Sequence, residues 1–290
     1  MSPTATPAHS APPVDHPVLD MHTHPVVPDV WLPAITAYVA RANPAALAEP
    51  DRLGQARAMY ARLAEQGVDH AVVLAEEAPV TTGMVTSEWV LEFTSGVEEL
   101  HAFVCLNPLL DGDLVARLER LRTQGRVEGI KLLPSYQQFA PNDARLYPLY
   151  ARAQELGLPV TFHTGTSRFP GTRLKYADPL LLDDVAVDFP RLPILLAHCG
   201  RSAWFDTAAM LATLHENVYL EISGLPARNL SRYFSDVHRL ARKMIFGSDY
   251  PGLPSIRENI RAIVELLGPE SARLVLWENG ARLLGLKPDC

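Results

Sequence analysis

The stretch Leu19-Asp20-Met21-His22-Thr23-His24 decides how the rest of the chain is interpreted. Its first four residues have the pattern of the end of a short buried strand, and they follow a proline-rich start without helical periodicity. Side chains alternate between the two faces of a strand, so His22 and His24 point to one side and Thr23 to the other. Two neighbouring imidazoles form half of a metal site, and further ligands should then come from other strand ends.

Beyond this strand, the chain alternates between apolar runs and helical patterns. Predicted strands cover 68–75, 100–106, 127–133, 159–163, 193–198, 218–223 and 243–249. Predicted helices cover 51–66, 86–94, 111–124, 143–156, 179–189, 203–216, 227–240, 255–267 and 271–284. In the first of these helices, Asp51 is the expected N-cap and Gly67 the expected stop. Eight strands of this kind, most of them continuously apolar, predict an α/β fold, a (β/α)8 TIM barrel.

The domain organisation is expected to be simple. Residues 18–290 should form one barrel domain, preceded by a flexible tail at 1–17 that is rich in proline and alanine. The connection 25–50 is long and holds Trp31 and Tyr38, and long loops over a strand end tend to be functional covers. A doubly wound open sheet is the competing fold, but its glycine-rich phosphate turn would stand where this chain has His22-Thr23-His24-Pro25.

Composition narrows the class of protein. The 290 residues are 48% hydrophobic, carry a net charge of −7 and contain no long run of one sign. This balance argues against a nucleic-acid or anionic-membrane surface, and no apolar stretch reaches the length of about 18 residues that spans a membrane. The three cysteines are too few and too scattered for a disulfide framework, and the tail has no signal-peptide pattern. A cytoplasmic protein is the simplest expectation.

The functional residues are expected at the carboxyl ends of the strands, where barrels of this type carry their chemistry. Histidines, carboxylates and a lysine occupy these positions, namely His22, His24, Glu76, Lys131, His163, His198, Glu221 and Asp249. A single histidine of this kind is ordinarily a hydrogen-bonded core residue. Several at matching strand ends instead indicate a site for a divalent metal with open positions, such as Zn²⁺, Fe²⁺ or Mn²⁺.

Five motifs, in order along the chain, resemble those of amidohydrolase family 2, a branch of the amidohydrolase superfamily of TIM-barrel metal-dependent hydrolases. They are Asp20-Met21-His22-Thr23-His24, Gly129-Ile130-Lys131-Leu132, Phe162-His163-Thr164-Gly165, Ala197-His198-Cys199-Gly200 and Gly247-Ser248-Asp249-Tyr250-Pro251. The resemblance covers nearly the whole chain from about residue 17. It implies a metal-dependent enzyme, with zinc as the first expectation and two iron ions or manganese as alternatives, and a homo-oligomer such as a dimer.

The resemblance also implies roles for single residues. His22, His24, His163 and Asp249 would hold one metal, with Asp249 also acting as a catalytic base. His198 would be the acid, base or polarising group in a mononuclear site, whereas in a dinuclear site it would bind a second metal together with His163.

For each of three further residues, two roles in the site are possible. Lys131 stands where some family members carry a carboxylated, metal-bridging lysine, but an ordinary ammonium paired with a carboxylate fits equally well. Glu76 and Glu221 are either metal ligands or carboxylates that orient a ligand histidine.

The loops beside these strand ends suggest a small anionic substrate, because arginine binds a carboxylate through two parallel hydrogen bonds. The expected substrate-binding residues are Tyr136, Arg168, Arg173, Lys175, Arg201, Trp204 and Tyr250. The cations among them would otherwise pair with nearby aspartates on the surface.

The first functional hypothesis is hydrolysis of a C–N or C–O bond, in an amide, ester or lactone, by a metal-activated water. The resemblance leaves two alternatives open. One is a non-heme di-iron monooxygenase of natural-product metabolism, and the other is a non-oxidative decarboxylase. A non-enzymatic barrel would predict that ligand positions are lost, yet here all five family positions are filled.

Overall fold

A computed structural model describes residues 14–287. The strands are β1 (Leu19–Thr23), β2 (His70–Leu74), β3 (Glu76–Ala78), β4 (Gly83–Val85), β5 (Leu100–Cys105), β6 (Val127–Leu132), β7 (Val160–His163), β8 (Ile194–Ala197), β9 (Val218–Glu221) and β10 (Met244–Ile245). Eight of them pair in parallel, in the order β1-β2-β5-β6-β7-β8-β9-β10, while β3 and β4 form an antiparallel pair.

Hydrogen bonds between β1 and the segment that follows β10 bring the two ends of the sheet together. The amide of Met21 donates to the carbonyl of Phe246 at 2.9 Å, and the amide of Asp249 donates to the carbonyl of His22 at 2.9 Å. The sheet is therefore a nearly closed barrel, which confirms the predicted (β/α)8 fold. Residues 1–13 of the predicted tail lie outside the described residues.

Helices follow the strands around the barrel. They are α1 (Pro33–Ala42), α2 (Pro44–Ala48), α3 (Pro50–Leu53), α4 (Ala56–Ala64), α5 (Ser87–Thr94), α6 (Leu114–Gln124), α7 (Pro134–Gln137), α8 (Tyr147–Leu156), α9 (Asp183–Asp188), α10 (Phe205–Leu214), α11 (Leu230–Tyr233), α12 (Val237–Leu240), α13 (Ile256–Leu267), α14 (Pro269–Arg273) and α15 (Asn279–Leu284). Within residues 14–287, no helix combines the length and apolar character needed to cross a membrane.

Two predicted helices are wrong as single elements. The helix predicted at 51–66 is divided at Gly54 into α3 and α4, and it begins at Pro50 because proline fits the first turn of a helix, so Asp51 is not its N-cap. The helix predicted at 227–240 is divided into α11 and α12. Asp236 accepts a hydrogen bond from the amide of Arg239 and so caps a new helix there.

The last part of the chain also differs in its element bounds. The strand predicted at 243–249 pairs only at Met244–Ile245. The final helix predicted at 271–284 begins earlier, at Pro269, and a π-helical segment at Leu274–Glu278 joins α14 to α15. The short β10 leaves the backbone after it free to turn into the mouth of the barrel.

The long connection after β1 contains more structure than the sequence pattern indicated. Helices α1 and α2 form inside the segment predicted as a loop at 25–50. The β3–β4 hairpin was not predicted, and it lies against this connection through the bridge between Trp31 and Gly83 and the hydrogen bond from Leu32 to Thr82. Together these segments form a cover over one side of the barrel mouth.

Candidate metal centre

Strand β1 presents two imidazoles to the same side. The rings of His22 and His24 lie 5.2 Å apart, whereas the hydroxyl of Thr23 turns away and donates to the carbonyl of Val72 at 2.7 Å. The alternation of a strand therefore places the two histidines as a pair at the barrel mouth.

A carboxylate from the opposite end of the sheet lies against this pair. Asp249 Oδ1 is 3.6 Å from His22 Nε2 and 3.6 Å from His24 Nε2. This separation is too long for a hydrogen bond, but it suits two atoms that share a metal at about 2 Å each. His198 joins the group, since ligand atoms of His22, His198 and Asp249 all lie within 4.8 Å of one another.

Hydrogen bonds fix the tautomers of two of these histidines. His22 Nδ1 lies 2.6 Å from Glu221 Oε2, and His198 Nδ1 lies 2.9 Å from the carbonyl oxygen of Ser223. Since a carboxylate or a carbonyl only accepts, each Nδ1 carries the proton and each Nε2 offers a lone pair. His24 has a similar arrangement, with Nδ1 3.3 Å from Glu76 Oε2.

Ser223 links two of these imidazoles. Its hydroxyl oxygen is 3.0 Å from His22 Nδ1 and 3.0 Å from His198 Nδ1, and it donates to Glu221 Oε2 at 2.9 Å. Glu221 is fully buried, and the absence of a side chain at Gly247 makes room for it, because a Cβ there would stand 2.2 Å from Glu221 Oε1. The sequence pattern gave no signal for the role of Ser223.

His163, at the end of β7, contributes a fourth imidazole. Its Nε2 is buried and has no hydrogen-bond partner among residues 14–287, and its ring lies 4.8 Å from that of His198. Burial holds the pKa values of His22, His163 and His198 well below their usual range. They are therefore neutral, which is the form that binds a metal, and a buried unpaired nitrogen at His163 fits a ligand.

Lys131 lies beneath this group of histidines. Its Nζ is 3.5 Å from His22 Nε2, and the residue is 1% exposed. Burial lowers the pKa of the amine, while the charges of Glu221, Glu76 and Asp249 oppose that change. A neutral amine at this position is the form that carboxylation requires, and whether the lysine is carboxylated stays a prediction.

Two of the site residues have an unusual backbone conformation. His198 and Asp249 both have φ of 64°, in the left-handed region that residues other than glycine rarely adopt. Such strain is retained where surrounding structure over-determines it, and it clusters at functional sites. Here it aims two side chains, from the segments that follow β8 and β10, at one point.

The site opens into a cavity of about 440 Å³. Three of the expected substrate-binding residues line it, namely Tyr136, Arg168 and Arg201. The other four, Arg173, Lys175, Trp204 and Tyr250, are not among its lining residues. Arg173 donates to Gln138 Oε1 at 3.0 Å, Lys175 lies over the ring of Tyr176, and Tyr250 is buried.

The cover after β1 forms one wall of the cavity, and the sequence pattern predicted only some of its residues. Trp31 and Tyr38, expected there from the length of the connection, line the cavity together with Arg41. Arg41 was not predicted, because the segment was interpreted as a loop. In helix α1 it follows Tyr38 by three residues, and this spacing places both on one helix face.

A comparison with known protein families shows which family this sequence matches. The family described as amidohydrolase, family 2, matches residues 19–286. None of the curated proteins matches the chain.

Solved structures of similar fold cover almost the whole chain. An uncharacterised TIM-barrel protein from Bordetella bronchiseptica has a TM-score of 0.76 and 22% identity, over 92% of this chain and 98% of that one. 5-Carboxyvanillate decarboxylase from Sphingomonas paucimobilis has a TM-score of 0.66 and 17% identity, over 94% and 100%. A probable 2-pyrone-4,6-dicarboxylic acid hydrolase from Acinetobacter baumannii, with citric acid bound, has a TM-score of 0.63 and 17% identity, over 93% and 99%.

These likenesses, at 22% identity or below, support the barrel fold, whereas the family match is what identifies the chain. That family implies a divalent metal, and His22, His198 and Asp249 form a cluster that suits one. Because the match extends over residues 19–286 of the 290, the chain belongs to the amidohydrolase family.

Proposed function

We propose that this protein is a metal-dependent hydrolase that acts on a C–N or C–O bond, in an amide, ester or lactone, of a small carboxylate-bearing molecule. The observation that carries the proposal is the approach of Asp249 Oδ1 to 3.6 Å from both His22 Nε2 and His24 Nε2. Two lone pairs and an ionised oxygen directed at one point form a set of donors for a divalent ion.

His22, His24, His163 and Asp249 would hold this metal. The chemistry of the donors fits, since neutral imidazoles and a carboxylate suit zinc, iron and manganese. The buried, unpaired Nε2 of His163 supports the same assignment. When bound, a divalent ion supplies Lewis acidity for a carbonyl and lowers the pKa of a coordinated water to about 7.

Asp249 is placed to accept a proton. Burial alone would raise its pKa, but the neighbouring His24, His198 and His22 hold the pKa well below its usual range, so the carboxylate is ionised. The Nε2 of His198 is the free nitrogen of a ring whose Nδ1 donates to Ser223, so it can bind a proton and return it to the departing oxygen or nitrogen.

Arg201 supports an acidic substrate. A Cβ atom on Gly224 would stand 2.7 Å from Arg201 Nη1 and 2.9 Å from Asp249 Oδ2, so the guanidinium lies beside the proposed metal ligands. A carboxylate bound by Arg201 would hold the rest of the molecule over the histidines. Two of the proteins of similar fold are named for carboxylated ring compounds, which agrees with this class of substrate.

Non-oxidative decarboxylation is the second candidate. The position of Arg201 next to Asp249 favours it, because a substrate carboxylate could be held beside the metal centre itself. Three of the solved structures of similar fold are named as decarboxylases. The two reactions can be told apart, since decarboxylation releases CO₂, whereas hydrolysis consumes water and releases none.

Elemental analysis of protein purified without a chelating column tests the proposal. We expect one zinc per chain, together with turnover of a panel of amides, esters and lactones that carry a carboxylate. Release of CO₂ from hydroxybenzoates without hydrolysis of the panel would favour decarboxylation. Two irons per chain with substrate-dependent O₂ consumption would instead favour the di-iron monooxygenase. Metal-free protein whose thermal stability is unchanged by Zn²⁺, Mn²⁺ or Fe²⁺ would contradict all three.

A further inference from the structure

The cavity is positively charged in a protein that is negatively charged overall. Its lining contains four basic side chains, Arg41, Lys131, Arg168 and Arg201, against the two carboxylates Glu76 and Asp249. With histidines counted as neutral, the three arginines and two carboxylates leave one positive charge there, and a protonated Lys131 adds a second, whereas the whole chain carries −7. Clefts lined by one sign of charge concentrate ligands of the opposite sign. A bound divalent metal would add to the positive charge.

The three arginines of the lining have no ionic partner. In the described part of the chain, no carboxylate lies within the 4.0 Å of an ion pair from Arg41, Arg168 or Arg201. Arg201 uses Nε and Nη2 to approach the carbonyl of Thr166 at 3.4 and 3.3 Å. Elsewhere in the described part of the chain, Arg117 is an example of an arginine that pairs with carboxylates, those of Glu88 and Asp111. The cavity arginines are thus available to a ligand.

These arginines occupy two different depths. Arg201 is half-buried and lies next to Asp249, whereas Arg41 and Arg168 are exposed at the rim. Tyr38 is half-buried and lines the same cavity as all three arginines. The ring of Tyr38 packs edge to face against that of Phe169 at 5.6 Å, and both rings line the cavity. A flat ring would find apolar contact between the inner and outer cations.

We propose that the cavity selects ring compounds with two carboxylates. Arg201 binds one carboxylate beside the metal centre, and Arg41 and Arg168 bind the second at the rim. The inference rests on the proposed function in placing the reacting end of the substrate at the histidines. It adds a specificity determinant, the rim pair Arg41 and Arg168, that sets doubly charged substrates apart from singly charged ones.

Binding of two matched probes to the zinc-supplemented full chain tests this proposal. Benzoate and benzene-1,3-dicarboxylate share a ring and differ by one carboxylate, and calorimetry at constant ionic strength measures both. We expect the dicarboxylate to bind about tenfold more tightly, as one added charge-assisted contact would give. In the double variant Arg41→Gln/Arg168→Gln, this preference should disappear, because the affinity for the dicarboxylate should fall far more than the affinity for benzoate. Arg201→Gln should weaken both probes.

The control is Arg191→Gln/Arg261→Gln, which also removes two positive charges, but from exposed positions outside the cavity lining. It should keep the tenfold preference. A dicarboxylate that fails to bind, that binds no more tightly than benzoate, or that keeps its preference in the rim variant would overturn the proposal. Because the readout is binding, absence of metal-dependent turnover would refute the proposed function without changing this result.

Discussion

Glu221 touches no part of the cavity, yet it determines how His22 presents its nitrogen. The carboxylate is fully buried and accepts from His22 Nδ1 at 2.6 Å and from the hydroxyl of Ser223 at 2.9 Å. Of the two interpretations that the sequence left open for this residue, the geometry favours the orienting one. Glu76 stands in the same relation to His24. Both remain proposals until metal binding is measured.

Glu221→Gln should weaken zinc binding by about 10- to 100-fold, the usual effect of losing a partner that orients a ligand histidine. An amide can donate to Nδ1 and so favours the tautomer whose Nε2 carries the proton. Competition with a chromogenic chelator measures the affinity. Glu216→Gln is the matched control, since Glu216 is fully exposed and its carboxylate pairs, among residues 14–287, with Lys243 alone. Equal zinc affinity in the two variants would exclude the orienting role.

Asp249→Asn should give a folded protein whose turnover falls by about 100-fold or more, the usual contribution of a positioned acid or base. Asparagine tolerates the left-handed backbone at this position, where φ is 64°, so the circular dichroism spectrum should not change. The rate of hydrolysis, once a substrate from the panel is found, is the measurement. Near-normal turnover would remove Asp249 from the mechanism.

The strands and helices of the barrel differ in how well the sequence pattern predicts them. Buried strands such as β5 and β8 were predicted because continuous apolar runs leave little choice of structure. The same patterns placed His22, His24, His163 and His198 at strand ends. The β3–β4 hairpin escaped prediction because each of its strands has three residues and depends on contact with the distant segment at Val30–Leu32. Arg41 was missed for a related reason, since its helix lies in a segment of weak periodicity.

Gly83→Ala should destabilise the protein by about 2 kcal/mol or more, because overpacking and an unfavourable backbone angle act together. At this glycine φ is +124°, and a Cβ would stand 2.2 Å from the carbonyl oxygen of Val30. Urea unfolding measures the free-energy change. Gly112→Ala is the control, because a Cβ there meets nothing within 4 Å, and it should change stability by less than about 0.5 kcal/mol. Equal stability of the two variants would show that the hairpin is not tightly held.

The stability of the folded protein depends on pH through histidines at both ends of the barrel. Away from the proposed metal centre, His70 at the start of β2 lies 3.2 Å from His101, which in turn lies 2.8 Å from Glu128. Burial lowers the pKa of His70 below its ordinary value of 6.5. The unfolded chain therefore takes up a proton at this residue more readily than the folded protein as the pH falls.

The stability associated with His70 should be complete above about pH 6.5 and be lost as the pH falls through that value. His70→Gln keeps a donor for His101 but does not titrate. Its melting temperature should fall less than that of the unaltered protein between about pH 7.5 and about pH 5.5. The buried histidines of the metal centre are common to both proteins and cancel in this comparison. Parallel loss of stability in the two proteins would contradict the role of His70.

The hydroxyl of Ser223 makes the two sides of the metal centre interdependent. It lies 3.0 Å from an imidazole on β1 and 3.0 Å from one that follows β8, two segments joined by no direct strand pairing. Substitutions of His22 and His198 should therefore show thermodynamic coupling in a double-mutant cycle, with a combined effect different from the sum. In evolutionary terms, which residues are tolerated at one position depends on the residue at the other, so the pair is expected to be epistatic.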